Sequence, residues 1–165
     1  MVKAVAMVAL VLLVAAGPVS AQSLDDVLRE VEGVYGRMTD LRADFTQVAF
    51  NKSLNQSIPA KGTVYLKKGG KLRTEFQVRF LNPAQPKDTD GNWVLDLTPK
   101  QPLPTLARLI LALDAKSWEI KKAVVHDQFE NTVTMRFTKM AVNSGLPDRT
   151  FTFVAPKGVV IVPFK

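Results

Sequence analysis

The chain has no cysteine and only one histidine in 165 residues. Without cysteine there is no disulfide, no thiolate metal ligand and no thiol nucleophile, so any fold is held by its apolar core. The lone histidine, His126, stands in an alternating stretch beside Asp127. Neighbouring side chains on a strand point to opposite faces, which rules this pair out as a relay. Gly-x-Ser-x-Gly, the phosphate loop and the paired-glycine dinucleotide fingerprint are all missing. Asp88-Thr89-Asp90-Gly91-Asn92 begins like a calcium loop but lacks the closing Glu, the next acid being Asp96, so it reads as a turn. Asn51-Lys52-Ser53 and Asn55-Gln56-Ser57 match the glycosylation acceptor pattern, but only as chance matches in a short polar loop. Together these absences point away from an enzyme and toward a binding module with no cofactor and no metal.

Charge excludes a further class. Lys and Arg number 22 against 15 Asp and Glu, for a net charge of +7. The basic residues are scattered among acids, and no aromatic residues interleave with them, so nucleic acid is not an expected partner. A modest positive balance suits anionic lipid headgroups, an acidic protein face or a solvated surface.

What is present starts with an address. Lys3 supplies a positive charge, Ala4 to Ala16 is an unbroken apolar run, and Gly17-Pro18 precede the small-x-small site Val19-Ser20-Ala21. That order is a secretory signal peptide, cleaved near Ala21. The run is shorter than the roughly 20 apolar residues a membrane span needs. Residue 22 is Gln, not Cys, so lipid attachment at the new N-terminus is not indicated. Residues 1–21 are thus expected to be removed, and 22–165 to form one soluble domain outside the cytoplasm.

Ser23 to Asp40 is predicted to be a helix. Leu24, Val27, Leu28, Val31, Val34, Tyr35, Met38 and Leu41 share one face, Ser23 can cap the start, and Asp25 and Asp26 complement the dipole. Almost everything after it has period two. Strands are expected over 41–50, 62–68, 71–80, 93–97, 105–114, 118–126, 132–142, 149–154 and 159–164, with Gly69-Gly70 closing a hairpin between the second and third. The pattern describes a curved or barrel-like antiparallel meander. Several strands, Ala123-Val124-Val125 among them, are apolar on both faces. An exported sheet with an apolar helix over an apolar concave face suits a hydrophobic ligand, because each buried methylene contributes about 0.8 kcal/mol. The other reading of the same pattern is an ordinary packed core.

Four stretches resemble the LolA family of periplasmic outer-membrane lipoprotein carriers. They are the helix leading into Leu41-Arg42-Ala43-Asp44-Phe45-Thr46-Gln47; Ala60 to Lys68 followed by Lys71-Leu72-Arg73; Leu97-Thr98-Pro99-Lys100; and Asp127 to Thr132 through Phe151 to Val159. The resemblance implies an unclosed β-barrel, or half-barrel, with helical lid elements. It also implies an apolar cavity for lipoprotein acyl chains, which are shuttled from the inner to the outer membrane. Implied partners are acylated lipoproteins, an inner-membrane lipoprotein-releasing transporter and an outer-membrane lipoprotein receptor. The protein would act in the periplasm as a monomer, without enzyme activity or cofactor. Related half-barrels bind other lipids, such as glycolipids, or regulate envelope stress by gripping a membrane protein. The cavity residues expected on this basis are Val64, Leu66, Leu72, Thr74 and Phe76 from the hairpin and Val31, Val34 and Met38 from the helix. Lys68 is the lid-latch candidate. The chain departs from the family pattern in three places. Lys68 stands where the family has an arginine, Thr74 replaces a tryptophan, and Phe76-Gln77-Val78 runs directly to Asn82-Pro83 and Trp93 with no middle hairpin or central helices. Lysine offers a point charge where arginine offers a planar fork.

Overall fold

A computed structural model describes residues 22–67, 75–152 and Gly158. The expected signal peptide, the Gly69-Gly70 hairpin, Lys68, Leu72, Thr74 and the last expected strand lie outside the described residues.

The described chain is one helix and a seven-stranded antiparallel sheet that does not close. Helix α1 (Leu24–Tyr35) begins at a reciprocal cap. The Ser23 hydroxyl accepts the Asp26 amide at 3.2 Å, and the Asp26 carboxylate accepts the Ser23 amide at 3.2 Å. It is shorter than expected, because Gly36 ends it by donating to the Glu32 carbonyl at 2.8 Å and the chain is extended again by Asp40. Met38 and Leu41 therefore fall in the connection and the first strand, yet both still reach the core that α1 covers.

The strands are β1 (Asp40–Asn51), β2 (Gln56–Lys67), β3 (Phe76–Phe80), β4 (Trp93–Pro99), β5 (Arg108–Leu113), β6 (Ile120–His126) and β7 (Thr132–Val142). Their order across the sheet is β2-β1-β7-β6-β5-β4-β3. This corrects the expected β2–β3 hairpin: β2 and β3 are the two opposite edges of the sheet. Among the described strands β2 pairs only with β1, and β3 only with β4. Gly-Gly signals a turn, but whether the next strand returns alongside depends on competing partners. The twelve-residue β1 takes β2 along its whole length, while β4 takes β3. β2 also begins six residues earlier than expected, at Gln56, because pairing with β1 extends it through Pro59. Proline is tolerated there because β2 is an edge strand. The strand expected over 149–154 is, in its described part, a 3₁₀ turn at Asp148–Phe151.

Two polar knots hold the helix end and the strand ends together. The Tyr35 hydroxyl accepts the Ile120 amide at 3.0 Å and lies 3.6 Å from the Met140 sulfur. It does so where the β5–β6 register slips between Ala112 and Leu113, which leaves the Ile120 amide in need of a partner. Asp40, buried at the start of β1, accepts the Ser144 amide and hydroxyl at 2.9 Å each and the Gly145 amide at 3.1 Å, tying the end of β7 to the start of β1. Tyr35→Phe should lower unfolding free energy by about 1–3 kcal/mol, the cost of stranding a buried amide. A urea titration followed by circular dichroism measures this, and an unchanged midpoint would show that the hydroxyl holds nothing.

Candidate functional site

Register assigns every strand residue to a face. The inward face carries Val78 and Phe80 of β3, Leu95 and Leu97 of β4, Leu109 and Leu111 of β5, Ala123 and Val125 of β6, Val133, Met135 and Phe137 of β7, and Ala43, Phe45, Gln47 and Ala49 of β1. Helix α1 sits on part of this face. Val27, Val31, Leu95, Leu97 and Leu113 are 0–1% exposed and form one cluster with Leu28, Tyr35, Met38, Leu41 and Ala43. At that end helix and sheet are in direct contact.

Among the described residues, the rest of the inward face lies outside this cluster. Phe45, Ala49, Val125, Val133 and Met135 are half-buried and lie outside the buried cluster, and Ile58 of β2, opposite Ala49, is 57% exposed. Phe45 lies flat against Gly62, where a Cβ would come within 3.1 Å of the ring, so the glycine makes room for the aromatic. At the β3–β4 edge of this end an open depression of about 310 Å³ is lined by Glu75, Phe76, Pro99, Lys100, Gln101 and Leu103. Its lining combines apolar groups with a carboxylate and an ammonium at the rim. The volume is at the low end for small-molecule sites.

The expected site residues are distributed over this arrangement. Val31 and Met38 are buried in the cluster, and Val34 packs against its edge. Val64 is half-buried opposite Ala43, and Leu66, opposite Leu41, is 46% exposed at the β2 edge. Phe76 packs against the cluster from β3 and lines the depression. Val64 and Phe76 therefore stand on opposite edges of the sheet and are not neighbours across a hairpin.

The outer face holds a feature that the sequence reading did not pick out. Asp96 of β4 is 1% exposed and lies between two arginines. Arg108 approaches from β5 at 2.7 and 2.9 Å, and Arg79 from β3 at 2.7 and 2.9 Å. Hydrogen bonds from Arg108, opposed by burial and reinforced by Arg79, hold the Asp96 carboxyl below the usual carboxylate range. Alternation alone gives Arg79, Asp96 and Arg108 outward positions, and only the strand register brings them together. At Asp40, burial pushes upward but the Ser144, Gly145 and Thr39 hydrogen bonds outweigh it, and the net shift is downward. His126 and Asp127 act separately. The His126 Nε2 is buried without a hydrogen-bond partner. Asp127 accepts the Phe129 amide at 2.8 Å and the Asn131 amide at 2.9 Å, closing the β6–β7 turn. The Asp88 loop is a turn as expected, with Asp88 accepting the Asp90 and Asn92 amides at 3.0 and 2.9 Å. Among the described residues no three His, Asp or Glu are grouped to hold a metal ion.

No protein-family model matches the chain, and no curated protein does. Among solved structures it is similar to several. One is a DUF1329 family protein from Desulfovibrio piger, at 10% identity over 77% of this chain and 95% of that one, TM-score 0.39. Another is a LolA superfamily protein from Nitrosomonas europaea, at 10% identity over 81% and 99%, TM-score 0.34. A third is MucB, at 12% identity over 79% and 62%, TM-score 0.42.

Two outcomes follow from the carboxylates. The native pKa values of Asp40, Asp96 and Asp127 all lie below the ordinary 3.8. A depressed native value gives stability that is complete above the unfolded value and lost as pH falls through the native one. Melting temperature should therefore stay level from about pH 5 to 8 and drop below about pH 4. A melting temperature that rises on acidification would contradict this. Asp96→Ala should cost about 1–3 kcal/mol in a denaturant titration, less than for a fully buried pair because the arginines keep access to water.

Proposed function

We propose that this protein is a carrier of the cell envelope that holds lipoprotein acyl chains against the open part of its inward sheet face. The observation that carries the reading is the strip Phe45, Ala49, Val125, Val133 and Met135, which is apolar apart from Gln47 opposite Met135, half-buried and outside the cluster under α1. Val64 and Leu66 would border the strip at the β2 edge and Phe76 at the β3 edge. Val31, Val34 and Met38 would form its closed end. Leu72, Thr74 and the latch candidate Lys68 belong to the same proposal through the family resemblance. About ten methylenes, each half-buried, would contribute about 4 kcal/mol, enough for weak and reversible loading. Cargo held by uniform apolar contact is released by exposing it, so loading and unloading would fall to the transporter and receptor of the inner and outer membranes. The signal peptide expected from residues 1–21 supports the periplasm as the place of work.

The far edge of β2, which no described strand pairs, favours a second reading. Ten of its twelve residues are exposed, and an extended segment of a membrane protein could add there as a further strand. That would make the chain a regulator of the envelope-stress kind. Mass spectrometry of material co-purifying with the native protein separates the cases. Triacylated peptide is expected, and Val133→Glu or Leu66→Glu should remove it while leaving the melting temperature within a few degrees. Free glycolipid would identify a carrier of another lipid, and a polypeptide without acyl chains would favour strand addition.

A further inference from the structure

The outer face of the sheet carries a pattern that acyl-chain binding does not use. Lys122 of β6, Arg136 of β7, Thr46 of β1 and Lys61 of β2 are successive register partners, so they form one row across four adjacent strands. Strand spacing sets the Lys122 and Arg136 backbones about 5 Å apart, and those of Arg136 and Lys61 about 10 Å. Like charges facing one another on a sheet repel. Elsewhere on this face charge is matched: Asp96 lies between Arg79 and Arg108, and Asp44 between Arg42 and Lys139 at 3.5 Å each. Among the described residues no carboxylate meets Lys61, Lys122 or Arg136.

From β5 to β2 the next row along the strands is uncharged; past Ile110, toward the β3 edge, it continues as Asp96 and Arg79, which pair with each other. It runs Ile110, Val124, Thr134, Val48, Pro59, and Val48 is 45% exposed. An open depression of about 230 Å³, lined by Leu81, Val94, Ile110, Ala112, Val124, Lys122 and Asp88, connects the two rows. The Asp88 carboxylate there is already engaged by the Asp90 and Asn92 amides.

We propose that this outer face of β6, β7, β1 and β2 docks on a bilayer surface rich in anionic phospholipid. The cations would lie at phosphate level, with Val124, Val48 and Pro59 beside them against the glycerol region. The cationic row supplies attraction to lipid phosphates, and the uncharged row beside it on β6, β7, β1 and β2 brings no carboxylate to oppose contact with an anionic surface. An acidic protein would need carboxylates matched to these particular cation positions, whereas mobile lipid phosphates can gather at any cation spacing. The docking face is the reverse of the face proposed for acyl chains, so the two readings stand or fall separately.

The test is co-sedimentation of the form beginning at Gln22 with vesicles of phosphatidylethanolamine and phosphatidylglycerol at 7:3, compared with pure phosphatidylcholine. Binding should require the anionic lipid and weaken as salt rises. Lys61→Gln with Arg136→Gln should lower partitioning about 25-fold, at roughly fivefold per cation. Arg37→Gln with Lys116→Gln removes the same charge away from this face, and should change it less than about threefold. If the double variant misfolds, Lys61→Gln alone should give the fivefold loss. Three results would overturn the proposal: no binding to the anionic vesicles, equal losses from both pairs, or retention on polyglutamate without vesicle binding, which would assign the row to an acidic protein.

Discussion

A seven-stranded sheet offers more apolar surface on its inward side than one helix can cover. Seven strands span about 29 Å at their ordinary spacing, and twelve helical residues extend about 18 Å. Helix α1 packs with Trp93, Leu113, Ile120 and Leu41, and the buried cluster runs along β4 as far as Leu97 but does not take in Phe45, Ala49, Val125 or Val133. The Phe45–Ala49–Val133–Val125 strip at the other end therefore meets water.

The same constraint explains where the polar anchors sit. An unclosed sheet has two edges that closure would have satisfied, and its ends must be tied by other means. Asp40 clamps the termini of β1 and β7, Tyr35 fastens the helix to the slipped register at Ile120, and Asp96 straps β3, β4 and β5 from outside. Each carboxylate is compensated by several donors, so these knots specify register at modest cost.

Much of this was legible in the sequence, for physical reasons. Period-two alternation placed Phe76, Val78 and Phe80 on one face and Gln77 and Arg79 on the other, as the register has them. It also gave β7 its full extent. Ser23 and Asp26 announced the start of the helix, but its end was less legible, since Met38 and Leu41 keep the helical spacing while belonging to a turn and a strand. Strand order was not legible. Gly69-Gly70 suggested that β2 and β3 pair, and pairing is decided by which partners compete, which no local signal records. Of the expected site, Val64, Leu66 and Phe76 face inward, but they lie on opposite edges, and the uncovered strip draws instead on β1, β6 and β7. The outward rows, Asp96 with its arginines and Lys122 with Arg136 and Lys61, become visible only once the register aligns strands far apart in sequence.

The central claim is that the uncovered strip, and not the helix-covered cluster, accepts an acyl chain. Methyl-resolved NMR during titration with a palmitoylated peptide tests it directly. The account predicts shifts at Val125, Val133 and Met135, with Val27 and Val31 unmoved. Shifts confined to Val27 and Val31, or none at saturating peptide, would contradict it.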